Sequence, residues 1–407
     1  MRQHTTSTLR FVQPVTPTVD VVAFVGTRPE AIKLAPVVLA ARRQEAGEIP
    51  GLMMRLATTG QHEEVVRRAL AVFELEVDHR LQCDRLTGSL HELFGVLVAQ
   101  MGAFLASQPP AAVIVQGDTS SAAAGALAAF YQRVPVVHLE AGLTTRSLHS
   151  PFPEEGHRRL ISQLASLHLA PTGGAAANLV ARGVEVDRIV VTGNTVVDAL
   201  SMVLARPPTA VPPDLSQAME RAARAKGKVV TVTAHRRESW GEPMAQIASA
   251  LRTLVGGSPD VHVMVVVHPN QRVADDMRDR LAGTDRVTCL PPLEYDAFVH
   301  LLSSSAVVLT DSGGLQEELP SLRVPVVVLR DETERQEAIE AGWSVLSGTD
   351  PRRIVELTQH ALDHSNRFQG LANPFGDGRS AERVVLAIEW FLGRGTRPDD
   401  YSPAARA

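Results

Sequence analysis

From Val21 onward, short continuous apolar runs alternate with longer Ala- and Leu-rich stretches. In the first half the runs are VVAFVG from Val21, AAVIVQGD from Ala111, VPVVHLEAG from Val134 and RIVVTGN from Arg188. The second half has KVVTVTAH from Lys228, VHVMVVVHP from Val261, AVVLTDSGG from Ala306 and VPVVVLRD from Val324. Runs that are apolar throughout suit strands buried on both faces of a parallel sheet. Their alternation with helical stretches predicts a doubly wound α/β architecture. The proline-rich segment ARPPTAVPPDLS from Ala205 separates the halves. The pattern predicts two Rossmann-like, doubly wound α/β domains facing a central cleft, over 21–200 and 201–374. Residues 1–20, rich in Thr, read as a disordered extension, and 396–407 as a tail.

In open α/β sheets ligands sit beyond the carboxyl ends of the strands, so the residues just after each apolar run carry the chemistry. After the first run comes GTRPEAIK. Thr27 has an N-cap position, Pro29 falls in the first turn, and Glu30 follows Thr27 at capping-box spacing. Arg28 and Lys33 are left over. A cation at the positive end of a helix dipole is unfavourable unless an anion is bound there. Asp118 follows the second run, where an Asp also serves as a helix cap. His138 and Glu140 end the third, and Glu154, Glu155, His157, Arg158 and Arg159 follow in SPFPEEGHRRL. In the second half His235 directly follows a strand, with Arg236 behind it. Ser312, Gly313 and Gly314 lie between a strand and a helix, where backbone N–H groups and the helix dipole make an anion site. Glu318, one turn further on, is placed to accept from a ribose diol. Together these describe a site for a nucleotide diphosphate carrying a sugar, with three carboxylates near the sugar.

Composition narrows the classes. The 407 residues carry a net charge of -5, which gives no general attraction to nucleic acid or anionic membrane. Lysine occurs only at positions 33, 226 and 228, so Lys33 stands out. Two distant cysteines, Cys83 and Cys289, form no disulfide framework or zinc pattern and suit a reducing cytoplasm. No run reads as a membrane span or signal peptide. No metal cage and no P-loop are present, and no cofactor is expected.

The segments GTRPEAIKLAPV, GDTSSAAAGALAAFYQRVPVVHLEAGL, SPFPEEGHRRL, VTGNTVVDAL, AHRRES, LTDSGGLQEELPSL and RDETERQEA together resemble the non-hydrolysing UDP-N-acetylglucosamine 2-epimerases, in order from about Val21 to about Asp350. The resemblance implies a GT-B-like fold, a homodimer, and a C-terminal helix over 375–395, in AERVVLAIEWFL, that packs back on the first domain. It implies interconversion of UDP-GlcNAc and UDP-ManNAc through loss and re-addition of UDP. By motif, Asp118, Glu140 and Glu154 match the acid/base carboxylates, His235 an active-site histidine and Arg158 an arginine of the same loop. Arg28, Lys33, Ser312, Gly313 and Gly314 would hold the diphosphate, Glu318 the ribose, and the Phe298 backbone the uracil. Gln61, Arg85, Arg236 and His268 match an activator site for a second UDP-GlcNAc. Glu64 stands there in place of the usual Gln, and its negative charge argues against that activator being required. Further departures are Thr144 where Arg is usual, Glu155-Gly156-His157 for Glu-Ala-Asn, Ser239 for Asn, and HPNQRV. The alternatives are a hydrolysing relative that releases UDP and ManNAc, a glycosyltransferase using the same nucleotide site, and a non-catalytic sensor. The last would be marked by lost carboxylates, and none is lost.

Overall fold

The computed structural model describes residues 19–45, 51–84, 87–145, 147–149, 151–236, 239–364, 368 and 370–403. Most of the expected N-terminal extension (residues 1–18), Arg85 and the last four residues of the tail lie outside this set. The first sheet contains β1 (Val19–Val25), β2 (Leu52–Thr58), β3 (His79–Arg80), β4 (Ala112–Gln116), β5 (Val136–Leu139), β6 (Leu167–Ala170) and β7 (Ile189–Val191). Its order is β3-β2-β1-β4-β5-β6-β7. The second contains β8 (Lys228–Thr233), β9 (Val261–Val266), β10 (Val287–Leu290), β11 (Val307–Thr310), β12 (Val326–Val328) and β13 (Ser344–Leu346), in the order β10-β9-β8-β11-β12-β13. The pairings in both sheets are parallel, with helices between the strands, as the uninterrupted apolar runs require.

β1 shows why the runs do not alternate. Val21, Ala23 and Val25 enter one apolar cluster, while Val22 and Phe24 enter another on the opposite face of the sheet. All five are at most 1% exposed, and burial of each large side chain stabilises by about 1.5–3 kcal/mol. The strand begins at Val19, two residues before the expected start. Val19 and Asp20 pair with Leu52 and Met53, and Arg55 binds the Asp20 carboxylate.

The helix Thr195–Leu204 runs through the expected domain boundary at 200. Val196, Val197, Ala199, Leu200 and Val203 on it belong to the first domain's core, so the chain crosses over only after Ala205, in the proline-rich segment. The helix Ser380–Phe391 places Ala381, Val384, Val385, Ala387 and Ile388 in the same core. Its first amides, from Ser380 and Ala381, donate to the Asp198 carboxylate at 3.2 and 2.9 Å.

One helix corrects the sequence reading. Leu90–Ser107 is long and apolar enough to cross a membrane by length and composition, although no run in the sequence reads as a span. Its Leu93, Leu97, Met101 and Leu105 pack beneath the first sheet with Phe24, Val113 and Val115. The rest of its surface is largely accessible.

Candidate active site

Each sheet reverses strand order once, between β1 and β4 in the first and between β8 and β11 in the second. Ligands bind at such switch points. The residues singled out after the first, second, fifth and seventh apolar runs stand there: Arg28 beyond β1, Asp118 beyond β4, His235 beyond β8 and Ser312 beyond β11.

At the end of β1 the chain turns through Gly26. An added Cβ there would lie 2.0 Å from the Ser121 hydroxyl oxygen and 2.5 Å from that of Thr59, so glycine is required. Glu30 forms its half of the expected cap, accepting from the Gly26 and Thr27 amides at 2.8 and 2.7 Å. It also accepts from Thr119 at 2.5 Å, which ties this turn to the one bearing Asp118. Burial pushes its carboxyl up to about 7 despite those donors. Arg28 reaches across the cleft to the Leu293 carbonyl at 3.2 Å.

Lys33, expected to face the diphosphate, is buried and has another partner. Its ammonium is 2.5 Å from Glu140 and 3.6 Å from Glu317. Opposite charges attract each other more strongly in the low-dielectric interior than in water. Burial opposes the charge on Lys33, but Glu140 and Glu317 outweigh it and keep the ammonium above its ordinary pKa. Glu140 is raised, chiefly by burial, against the lowering effect of Lys33. Its backbone sits at φ 65°, in the left-handed region, which costs a non-glycine residue about 1–2 kcal/mol. Beyond this bend the carboxylate meets Lys33 and Gln116 of its own domain, Gln116 donating to it, and lies 3.7 Å from Arg335 of the second. Strain of this kind collects at working sites.

Asp118 and Glu154 stand on the same edge of the first sheet. Arg158 grips Asp118 Oδ2 through two nitrogens at 2.7 and 2.6 Å. The His157 ring donates to the Asp118 carbonyl at 2.9 Å and stacks on Phe94. His138 donates to the Gly117 carbonyl at 2.8 Å, and burial lowers its pKa to about 4, so it braces this turn as a neutral ring. Glu154 opens the helix Glu154–Leu164, and its Oε2 is buried without a hydrogen-bond partner. The neighbouring Glu155 is wholly structural. Burial opposes its charge, yet Arg159, Thr144, Thr145 and Arg182 hold its carboxyl at about 2. The Arg182 guanidinium, from the C-terminal end of the helix Gly173–Ala181, thus donates to the Thr144 hydroxyl at this departure.

Across the cleft, burial lowers the His235 pKa, and its amide donates to Asp311 at 3.0 and 2.9 Å. Asp311 also accepts from the Arg236 amide and from Ser239, another departure. Ser312 is the N-cap of the helix Gly313–Leu322, and its hydroxyl makes no capping bond. Glu318 accepts from Tyr295 at 3.3 Å, and burial raises its carboxyl to about 7. The Phe298 N–H donates to the Glu294 carbonyl at the start of the helix Tyr295–Ser303, and its side chain lies between two apolar clusters.

Of the activator candidates, Gln61 accepts from Ser121, Arg236 binds Glu334, and the His268 ring is 5.4 Å from His235. Glu64 is exposed, and Arg67 and Arg68 on its own helix bind it and hold it at about 2. Their charges offset the repulsion that the sequence suggests at this position. A cavity of about 1080 Å³ opens beside the site, lined by Thr144, Asn178, Arg236, Glu332, Glu334 and Glu337. It does not include the three acid/base candidates.

Sequence reasoning missed Glu317, Arg335, Gln116 and Asp311. Glu317 is fully buried and accepts from Arg335 at 2.9 Å and from Asn194 at 2.8 Å. Arg335 also lies 3.7 Å from Glu140 and 2.9 Å from Glu334. The available signals were the doubled glutamate in LQEELP and the arginine inside RDETERQEA. No group of His, Cys, Asp and Glu among the described residues is arranged to hold a metal ion.

Residues 25–389 match the protein family described as UDP-N-acetylglucosamine 2-epimerase. The Bacillus subtilis UDP-N-acetylglucosamine 2-epimerase is 39% identical over 381 residues, covering 93% of this chain and 97% of the relative. The Salmonella typhimurium enzyme of the same name is 40% identical over 372 residues, 89% of this chain and 96% of the relative. The crystal structure of the Neisseria meningitidis UDP-GlcNAc 2-epimerase bound to UDP-GlcNAc superposes with a TM-score of 0.81 at 36% identity, covering 91% and 99% of the two chains.

Proposed function

The chain belongs to the UDP-N-acetylglucosamine 2-epimerase family, and from that premise we propose that it interconverts UDP-GlcNAc and UDP-ManNAc without net hydrolysis. The observation that carries the reading is the set of carboxylates that follow strands of the first sheet, Asp118, Glu140 and Glu154, with Glu140 lying 3.7 Å from Arg335 of the second domain.

The hydrogen at C2 is not next to a carbonyl and is hard to remove directly. When the C1–O bond to UDP breaks, the sugar gains oxocarbenium character and the C2–H bond becomes acidic. A carboxylate takes the C2 proton, the electron pair forms the C1–C2 double bond of 2-acetamidoglucal, and UDP leaves with the C1–O pair. In the reverse step a UDP oxygen attacks C1 and a carboxylic acid delivers a proton to the other face of C2. Arg28, His235 and the amides of Ser312, Gly313 and Gly314 stabilise the departed diphosphate, with the Lys33 charge close behind. Arg158 orients Asp118, Glu318 holds the ribose, and the Phe298 segment lines the uracil. No cofactor takes part.

The enzyme is proposed to be cytoplasmic, which the two thiols Cys83 and Cys289 support, and homodimeric. The accessible apolar surface of Leu90–Ser107 and the exposed Phe130 and Tyr131 on the helix packed against it support a dimer. Light scattering that gives the monomer mass of 43.8 kDa would refute the dimer. The reaction is tested by proton NMR of UDP-GlcNAc in heavy water with no other nucleotide. UDP-ManNAc labelled at C2 is the expected product. Free ManNAc with UDP would assign the hydrolytic reaction. No exchange from either sugar nucleotide would leave a glycosyltransferase role.

A further inference from the structure

The charges around Glu140 come from both domains, and each domain brings a neutral pair. The first supplies Lys33 and Glu140, 2.5 Å apart. The second supplies Arg335 and Glu317, 2.9 Å apart. The contacts between the pairs are longer: Lys33 to Glu317 at 3.6 Å and Arg335 to Glu140 at 3.7 Å. Asn194 of the first domain adds a hydrogen bond to Glu317 at 2.8 Å. This is the geometry of two prebuilt ion pairs docked side by side. Glu317 is 0% exposed, and among the described residues the donors to its carboxylate, Lys33, Arg335 and Asn194, all belong to this junction.

We propose that Glu317 is a positioning residue for the reaction, one that draws Lys33 and Arg335 into register with Glu140, so that the meeting of the two domains completes the charge environment of that carboxylate. Glu140 is faced by Lys33 and Gln116 from its own domain and by Glu317 and Arg335 from the other. Burial raises its pKa and Glu317 raises it further, while the two cations lower it. Without the Glu317 charge, two cations surround one carboxylate, and Glu140 gives up its proton more readily. Parting the two domains would leave Glu140 with Lys33 and Gln116 of its own domain and without Arg335 and Glu317. The inference rests on the proposed epimerisation.

The test compares the parent enzyme with Glu317→Gln, following C2 exchange and epimer formation from pH 5 to 9. Misplacement of a reacting carboxylate lowers kcat by about 10²-fold, while KM stays within about threefold, because Glu317 is not expected to touch the substrate. The limb of the pH profile that Glu140 sets moves to lower pH by about one unit or more. Glu317→Asp keeps the charge but draws it back, so its profile keeps the parent limbs while kcat falls about tenfold. Parent-like limbs in Glu317→Gln overturn the proposal. If that variant does not fold, an unchanged kcat in Glu317→Asp overturns it. A parent enzyme without C2 exchange would overturn the functional reading and this inference with it, whereas an active parent beside an indistinguishable Glu317→Gln would overturn the inference alone.

Discussion

Glu154→Gln separates catalysis from stability. The Glu154 Oε2 atom is buried and has no hydrogen-bond partner, so replacing the carboxylate with an amide breaks no bond at that atom. A buried, unsatisfied polar atom costs about 1–3 kcal/mol. Against that, a carboxylate in the first turn of Glu154–Leu164 gains about 0.3–1 kcal/mol from the helix dipole. A glutamine leaves a polar atom equally unsatisfied at that place, so that cost cancels, and the change is the loss of the dipole contribution, about 1 kcal/mol or less. For domains of this size that is about 4 °C or less in Tm. Loss of an acid/base group lowers the rate by about 10²–10⁴-fold, equivalent to about 3–5 kcal/mol in the barrier. Deuterium incorporation at C2 reads the rate, a thermal melt reads the stability, and calorimetry with UDP reads the site's integrity. Near-parent exchange would remove Glu154 from the acid/base set. A Tm lower by more than about 10 °C would show that the carboxylate is holding the helix instead.

Gly142→Ala should be among the most damaging small substitutions. Gly142 has φ 89°, and an added Cβ would stand 2.1 Å from the Ala175 carbonyl oxygen. The left-handed backbone costs about 1–2 kcal/mol and the overpacking about 1–3 kcal/mol more; a urea midpoint equal to the parent's would contradict this. Glu318 makes stability depend on pH. Its folded pKa, about 7, lies above its ordinary 4.5, so the folded state holds a proton that the unfolded chain releases. That contribution is fully present below pH 4.5 and is lost as pH rises through 7, amounting to about 3 kcal/mol at most. Urea unfolding of the parent and of Glu318→Gln at pH 5 and pH 8 isolates it, and equal slopes in the two proteins would refute it.

Much of the site was legible because the strand ends are legible. Asp118, His235 and Ser312 each follow an apolar run by one or two residues, and both sheets carry such residues at their switch points. Glu30 could be read from its capping spacing alone, and the hydrogen bonds to Gly26 and Thr27 follow that reading. Lys33 was read one step short. The sequence marks it as a rare lysine beside an anion-binding turn, but its partner Glu140 lies 107 positions away. The partners of Glu64 were out of view in the same way, since Arg67 and Arg68 reach it only once the segment is helical.

Although strands such as Leu52–Thr58, Leu167–Ala170 and Val287–Leu290 were not read from it, the sequence by itself determined the strands at the centre of each sheet, their parallel pairing, the turn at Gly26 and the motifs that identify the family. Those are local properties: apolar continuity, spacing along one helix, and residue types next to a strand end. Only the tertiary structure decided which charges share a dielectric. Lys33, Glu140, Glu317 and Arg335 come from four separate segments and become one cluster because two sheets face each other across a cleft. Removal from water converts weak surface charges into obligatory partners, and a linear pattern does not encode which charges will be removed together.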